Sequence, residues 1–230
     1  LPVRVILLQP EKAGNIGAVS RSMKNFGLDD LWIVDPKAPL DGEARAYAMG
    51  GLTVLSSAKT VKVLDDALKG VDVVVGTSSV TAKSPTNLSR ISITAEQLAK
   101  KIVLAKGTVG IVFGRESSGL SNEEVEECDF MANIPANREY NVLNIATAAS
   151  IVFYEIFQRR RVGKMELAST TERKRLLKQF DQLAKLCNVQ PHKRRLAQRA
   201  FRNVISRSFI ARREASLILG VLRKASSKLM

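Results

Sequence analysis

The chain alternates between short apolar runs and longer segments with helical spacing. Strand-like runs, most of them rich in β-branched residues, fall at Val3–Leu8, 31–34, 53–55, 71–75, Val109–Phe113 and 130–134. Short apolar runs of this kind, bounded by turn residues, have the lengths of strands rather than helices. Helical patterns lie between most of them, which predicts an α/β domain with a mainly parallel sheet. The first helix is predicted to start near Asn15, an acceptable N-cap after Gly14. Its buried stripe is Ile16, Val19, Met23 and Phe26. At about 100° per residue the stripe points nearly opposite to Arg21, which therefore faces solvent, a ligand or another chain. Gly17 lies one turn earlier on nearly the same face, where it lets another backbone or a phosphate approach closely. A helix predicted over about 142–157 is apolar on almost every side, with Asn144, Thr147 and Tyr154 as its narrow polar line. Such a helix needs cover all round, part of it from a second subunit.

Beyond this domain the pattern changes. Residues 1–160 form the α/β unit, 161–171 read as a linker, and 172–230 carry three helical stripes. The first stripe is Leu176, Leu177, Phe180, Leu183 and Ala184. The second opens at Pro191, a favoured first helical position, with Leu196, Ala200, Phe201 and Val204 inward. The third holds Ala215, Ile218, Leu219 and Leu222. Segment 80–93, with Lys83, Ser84-Pro85-Thr86 and Arg90, reads as a polar loop.

Charge sharpens the division. The net charge is +14, but residues 1–157 sum to −2 and residues 158–230 to +16, with 20 bases against 4 acids. So basic a module repels itself unless a polyanion neutralises it, which points to nucleic acid. Arg194, Arg195, Arg199, Arg202, Arg212 and Arg213 are the candidate contacts. Few aromatics are interleaved, favouring backbone or shape recognition over base stacking. No amphipathic helix with an aromatic face suggests a membrane surface. No apolar stretch approaches a membrane span, and Val3–Leu8 is too short for a signal-peptide core. Cys128 and Cys187 have no paired spacing and read as reduced core thiols of a cytoplasmic protein. The lone His192, in a basic run, is a surface residue and gives little scope for a metal site.

Residues 107–147 hold the densest chemistry. The run Val109–Phe113 empties into Gly114-Arg115-Glu116-Ser117-Ser118-Gly119-Leu120, and Ser121-Asn122-Glu123-Glu124 then opens a helix. The run 130–134 stops at Pro135, and Asn141-Val142-Leu143-Asn144 leads into the next helix. Two strand-loop-helix units place both loops at one edge of a parallel sheet, where open α/β sheets bind ligands. The run 71–75 ends similarly, in Gly76-Thr77-Ser78-Ser79.

Phe113-Gly114-Arg115-Glu116-x-x-Gly119-Leu120, Ile134-Pro135 followed by Asn141-Val142-Leu143-Asn144-Ile145-Ala146, and Asn15-x-Gly17-Ala18-x-x-Arg21 together resemble the three ordered motifs of the SPOUT class of RNA methyltransferases. The resemblance spans residues 9–157. It implies a parallel sheet with a C-terminal trefoil knot, a homodimer, and S-adenosyl-L-methionine as cofactor. Composition alone predicts no knot, since knots are rare. By resemblance Thr77, Ser78, Ser79, Gly114 and Gly119 lie by the cofactor, Ile134 covers its adenine, and Asn141, Val142 and Leu143 cradle it. Asn15, Arg21, Glu116 and Asn144 are the implied catalytic group, with Arg21 acting at the opposite subunit's cofactor. The third motif departs from the class in having Val142 where a serine is frequent. A basic helical extension after the ribose-methylating domain is similar to the TrmJ branch, which implies 2′-O-methylation of tRNA nucleotide 32, a cytidine or also a uridine.

A non-enzymatic nucleic-acid-binding protein with a helix-turn-helix-like C-terminal domain competes with this picture. Asn15 and Arg21 on an exposed helix face distinguish the two, because a pure binder has no need of them. A nucleotide-binding α/β protein is disfavoured, since no Gly-rich loop ending in Lys-Ser/Thr follows a strand.

Overall fold

The structure, a computed structural model, describes residues 3–79, 92–137, 139–159 and 166–229. Its strands are β1 (Val3–Leu8), β2 (Asp30–Val34), β3 (Lys59–Val61), β4 (Val73–Thr77), β5 (Ser92–Thr94), β6 (Val109–Phe113) and β7 (Phe130–Asn133). They form one sheet in the order β3-β2-β1-β6-β4-β7-β5, and every pairing is parallel. The helices are α1 (Ala13–Asn25), α2 (Gly42–Ala48), α3 (Leu52–Ser56), α4 (Leu64–Leu68), α5 (Ala95–Ile102), α6 (Asn122–Glu127), α7 (Ile145–Gln158), α8 (Thr170–Leu186), α9 (Pro191–Arg207) and α10 (Arg212–Lys228).

The central strands are mostly apolar because both faces are covered. Val5, Leu7, Val75, Ile111 and Phe113 point into one core with α1, α5 and α7. Ile6, Leu8, Val74 and Val112 point the other way, towards Val125, Cys128 and Met131, as the two-residue period of a strand requires. Burial pushes the Cys128 thiol up to about 12, so it is an inert core group. Cys187 is exposed, against the expectation of two core thiols. It caps the C-terminal end of α8 rather than packing inside it.

Several expectations give way. Segment 53–55, expected as a strand, lies in α3, where Val54 and Leu55 are buried against the α1 side of the sheet. A single apolar tripeptide is decided by its tertiary contacts, not its propensity. The first helix begins at Ala13 with Lys12 as N-cap, two residues before the predicted start. Asn15 is free of capping duty, and its side chain reaches another loop. Ile16, Val19 and Met23 are fully buried and Phe26 partly so, as the stripe predicts. Gly17 accommodates protein, not phosphate: a Cβ there would lie 2.1 Å from the Ala44 carbonyl oxygen of α2. The apolar helix begins at Ile145 rather than near 142, with Asn144 as its N-cap. Segment 80–93, read wholly as loop, ends in strand β5 from Ser92. Lys83, Ser84-Pro85-Thr86 and Arg90 lie outside the described residues.

The C-terminal helices do not hang on a free linker. Ser169 caps α8 through a reciprocal box with Glu172, so the helix begins within the segment expected as linker. Leu167 is buried in the main core, and Ala168 N–H donates to the Ile210 carbonyl at 2.9 Å. Phe209 meets Phe130 of β7 edge-on at 5.4 Å. In α9 the inward face is only partly the predicted one: Phe201 packs on the helical core and stacks on Phe180 at 4.2 Å, as expected. Leu196 and Val204 are 57% and 55% exposed, while Asn203, Ile205 and Ser206 are buried. The cause is polar: this face of α9 meets Asp129, next to β7, through the Ser206 hydroxyl at 3.3 Å.

Among the described residues no helix is long and apolar enough to cross a membrane, and no group of His, Cys, Asp and Glu could hold a metal ion. His192 is exposed on α9.

Candidate active site

Strands β6, β4 and β7 are neighbours, so the loops at their C-terminal ends meet at one edge of the sheet. Between them lies a cleft of about 440 Å³. Thr77, Ser78, Ser79, Gly114, Gly119, Ile134, Asn141, Val142 and Leu143 all line it. Thr77 uses its hydroxyl to bind the Val112 carbonyl at 3.0 Å, locking β4 to β6. Asn141 Nδ2 donates to the Ser79 carbonyl at 3.0 Å, which joins the loop after β7 to the loop after β4. The loop after β6 folds back on itself: Arg115 N–H donates to Gly119 O at 3.1 Å and Gly119 N–H to Arg115 O at 2.9 Å. This turn needs both glycines. Gly119 has φ +68°, and a Cβ on Gly114 would lie 2.4 Å from the Gly119 carbonyl carbon.

One chain of hydrogen bonds ties the three motifs together. Asn144 Nδ2 donates to Asn15 Oδ1 at 3.0 Å, and Asn15 Nδ2 donates to Glu116 Oε1 at 2.9 Å. Glu116 Oε2 accepts from Glu11 N–H at 2.8 Å. Asn144 Oδ1 meanwhile accepts from Ala146 N–H at 2.8 Å, capping α7. Residues more than 100 positions apart are thus held in one orientation beside the cleft.

Sequence reasoning missed the support of this network. Glu11 accepts from both the backbone N–H and the hydroxyl of Ser117, at 3.0 and 2.6 Å. Arg115 donates to both carboxylate oxygens of Glu124 at 3.0 and 2.7 Å and to Gln9 Oε1 at 2.6 Å. The Arg115 bond holds Glu124 below the usual carboxylate range, and Glu124 in turn raises Arg115. The cation in the cleft wall is therefore neutralised from behind. Gln9 and Glu11 carried one legible signal: they directly follow β1, at the same sheet edge as the motif loops.

Arg21 stands apart. It is exposed on α1, does not line the cleft, and its side chain makes no ion pair or hydrogen bond among the described residues. Gly51 packs against its backbone, since a Cβ there would be 2.6 Å from Arg21 Cα. The basic candidates also separate. Arg194 pairs with Asp181 at 3.2 Å, and Arg212 with Glu166 at 2.5 Å and Glu172 at 3.2 Å. Arg195 and Arg213 are exposed, while Arg199 and Arg202 are half-buried.

Comparison with known proteins bears on this geometry. The profile described as the SpoU rRNA Methylase family matches residues 2–154. Over 227 residues the chain is 34% identical to the tRNA (cytidine-2′-O-)-methyltransferase TrmJ of Methanocaldococcus jannaschii, covering 96% of this chain and 98% of that one. It is 41% identical over 155 residues to the tRNA (cytidine/uridine-2′-O-)-methyltransferase TrmJ of Escherichia coli, covering 67% of this chain and 62% of that protein. The fold is similar to the crystal structure of TrmJ from Z. mobilis ZM4, with a TM-score of 0.68 at 28% identity over 97% of this chain and 98% of the other. With the profile matched over more than half its length and a relative above 30% identity across nearly all of it, the chain belongs to the SpoU methylase family.

Proposed function

We propose that this protein is a homodimeric, cytoplasmic tRNA 2′-O-methyltransferase acting on the ribose of nucleotide 32, a cytidine or also a uridine. The observation that carries the proposal is the cleft at the ends of β4, β6 and β7, bounded by the hydrogen-bonded Asn144–Asn15–Glu116 chain. That these relatives are tRNA 2′-O-methyltransferases supports the substrate class.

The walls suit S-adenosyl-L-methionine. Phe113, Ile134, Leu143 and Val152 offer apolar surface for a purine, and the serines and backbone of 78–79 offer a few polar edges. The charges at the wall are already engaged, Glu116 by Asn15 and Glu11, Arg115 by Glu124. Bound there, the cofactor supplies an electrophilic methyl on a sulfonium. The protein's own work is to hold the ribose hydroxyl in line and ease loss of its proton. Asn144 and Glu116 fix the loops at the substrate end. Arg21, always protonated, is assigned to gripping an RNA phosphate and stabilising the forming alkoxide rather than to taking the proton.

Arg21 does not line the cleft of its own chain, and in this reading a second subunit brings it there. An aromatic patch on α1 and α7 supports that pairing: Tyr154 and Phe157 are 49% and 47% exposed and pack on Phe26 at 6.0 and 5.9 Å. The trefoil knot implied by the resemblance belongs to the same proposal.

The test is methyl transfer from labelled cofactor to tRNA transcripts. A transcript with a single 2′-deoxy substitution at nucleotide 32 is expected to accept no methyl while the unmodified transcript does. Equal labelling of both places the target elsewhere, and no labelling of any tRNA defeats the assignment.

A further inference from the structure

A second cleft of about 910 Å³ lies between the sheet domain and the C-terminal helices, away from the reaction site. Its bases come from both sides: Lys69 after α4, Arg173 and Lys174 of α8, and Arg195, Arg199 and Arg202 of α9. Asp129 sits at its base. The carboxylate accepts from Val74 N–H at 2.9 Å and pairs with Arg173 Nη1 at 2.7 Å, while Arg202 Nη2 lies 3.9 Å away. One buried carboxylate therefore answers two guanidinium groups, with Arg199 as a third beside them. Asp65, Glu126 and Glu127 also line the cleft, which leaves six bases against four acids.

The unmet groups are specific. Arg173 is only 7% exposed, and its Nε has no hydrogen-bond partner among the described residues. Arg199 Nε is likewise buried without a partner. Leaving a buried donor unpaired is costly, the more so for a charged group. Burial and the neighbouring Arg202 both push Arg199 below the usual guanidinium range, so an arriving anion would relieve it. A tetrahedral oxyanion presents acceptors that match forked guanidinium donors. The exposed Lys174 and Arg195 at the same cleft extend the positive surface outward, as an RNA backbone needs and a lone ion does not.

We infer that this interdomain cleft is a phosphate subsite, in which Arg199 and Arg173 bind a phosphodiester of the RNA backbone. The inference rests on the tRNA reading and deepens it: the bound strand would contact both parts of one subunit and seat the helical region on the sheet domain.

The test compares wild type with Arg199→Gln for tRNA binding over a salt series, and for the rise in melting temperature produced by inorganic phosphate. Arg199→Gln is expected to weaken tRNA binding about tenfold and to reduce the slope of log K against log salt by about 0.9, one phosphate contact. Lys174→Gln, an exposed site that does not threaten folding, is expected to reduce the slope in the same direction. Unchanged affinity and slope in a folded Arg199→Gln protein would overturn the inference. So would loss of the phosphate-induced stabilisation with tRNA binding intact, since the site would then take free phosphate. Failure of the tRNA reading shows separately, as absence of methyl transfer in wild type.

Discussion

Arg21→Ala is expected to lower methyl transfer to tRNA by about a hundred- to a thousandfold, the usual loss when one preorganised electrostatic donor is removed. Cofactor affinity should stay within about twofold of wild type, because the role proposed for Arg21 is towards an RNA phosphate and the forming alkoxide rather than the cofactor. Its surroundings explain why the fold tolerates the change. The side chain is exposed and has no ion pair or hydrogen bond among the described residues, so removing it leaves no buried group unmet. Arg21→Lys should rescue little, since a point charge does not reproduce the planar fork that holds a phosphate. Equal loss of cofactor affinity and transfer in Arg21→Ala would assign the residue to cofactor binding instead.

The second large effect is at Gly114. Even a bare Cβ would stand 2.4 Å from the Gly119 carbonyl carbon and 2.7 Å from the Leu120 nitrogen. Backbone cannot swing aside as a flexible side chain does, so Gly114→Val must open the turn that lines the cleft. Overpacking of this kind costs about 1–3 kcal/mol. Taken up as distortion of the bound loop, that raises the cofactor Kd by about 5- to 150-fold. Titration calorimetry measures it, and circular dichroism checks that the sheet is intact. An unchanged Kd would remove the loop after β6 from the cofactor site.

What the sequence made legible follows from where the chemistry sits. β1 and β6 were plain because both faces of each are apolar, and the cleft residues because they directly follow strands at one sheet edge. Edge strands β3 and β5 are three residues each and largely polar, so their partners define them rather than their own pattern. The three motif segments converge, but Glu11 gave little local sign of its role, its partner Ser117 lying 106 residues away. Two positions of the α9 face were misjudged for a related reason. Hydrophobic periodicity looks for apolar contacts, whereas Asn203 and Ser206 are buried at a polar seam around Asp129. Leu196 and Val204, which the pattern turned inward, were displaced by that seam. The six arginines proposed for RNA were chosen on charge alone, and Arg194 and Arg212 prove to be held by carboxylates within the helical region.

The central claim is that the cleft of one subunit works with the arginine of another, and mixing two impaired variants, with cofactor held well below the raised Kd of Gly114→Val, tests it directly. Arg21→Ala keeps an intact cleft, and Gly114→Val keeps an intact arginine. Subunit exchange between them in equal amounts should restore about a quarter of wild-type methyl transfer, since half the dimers would then carry one complete composite site. No recovery, with exchange demonstrated, would mean that Arg21 serves its own chain and that the shared site does not exist.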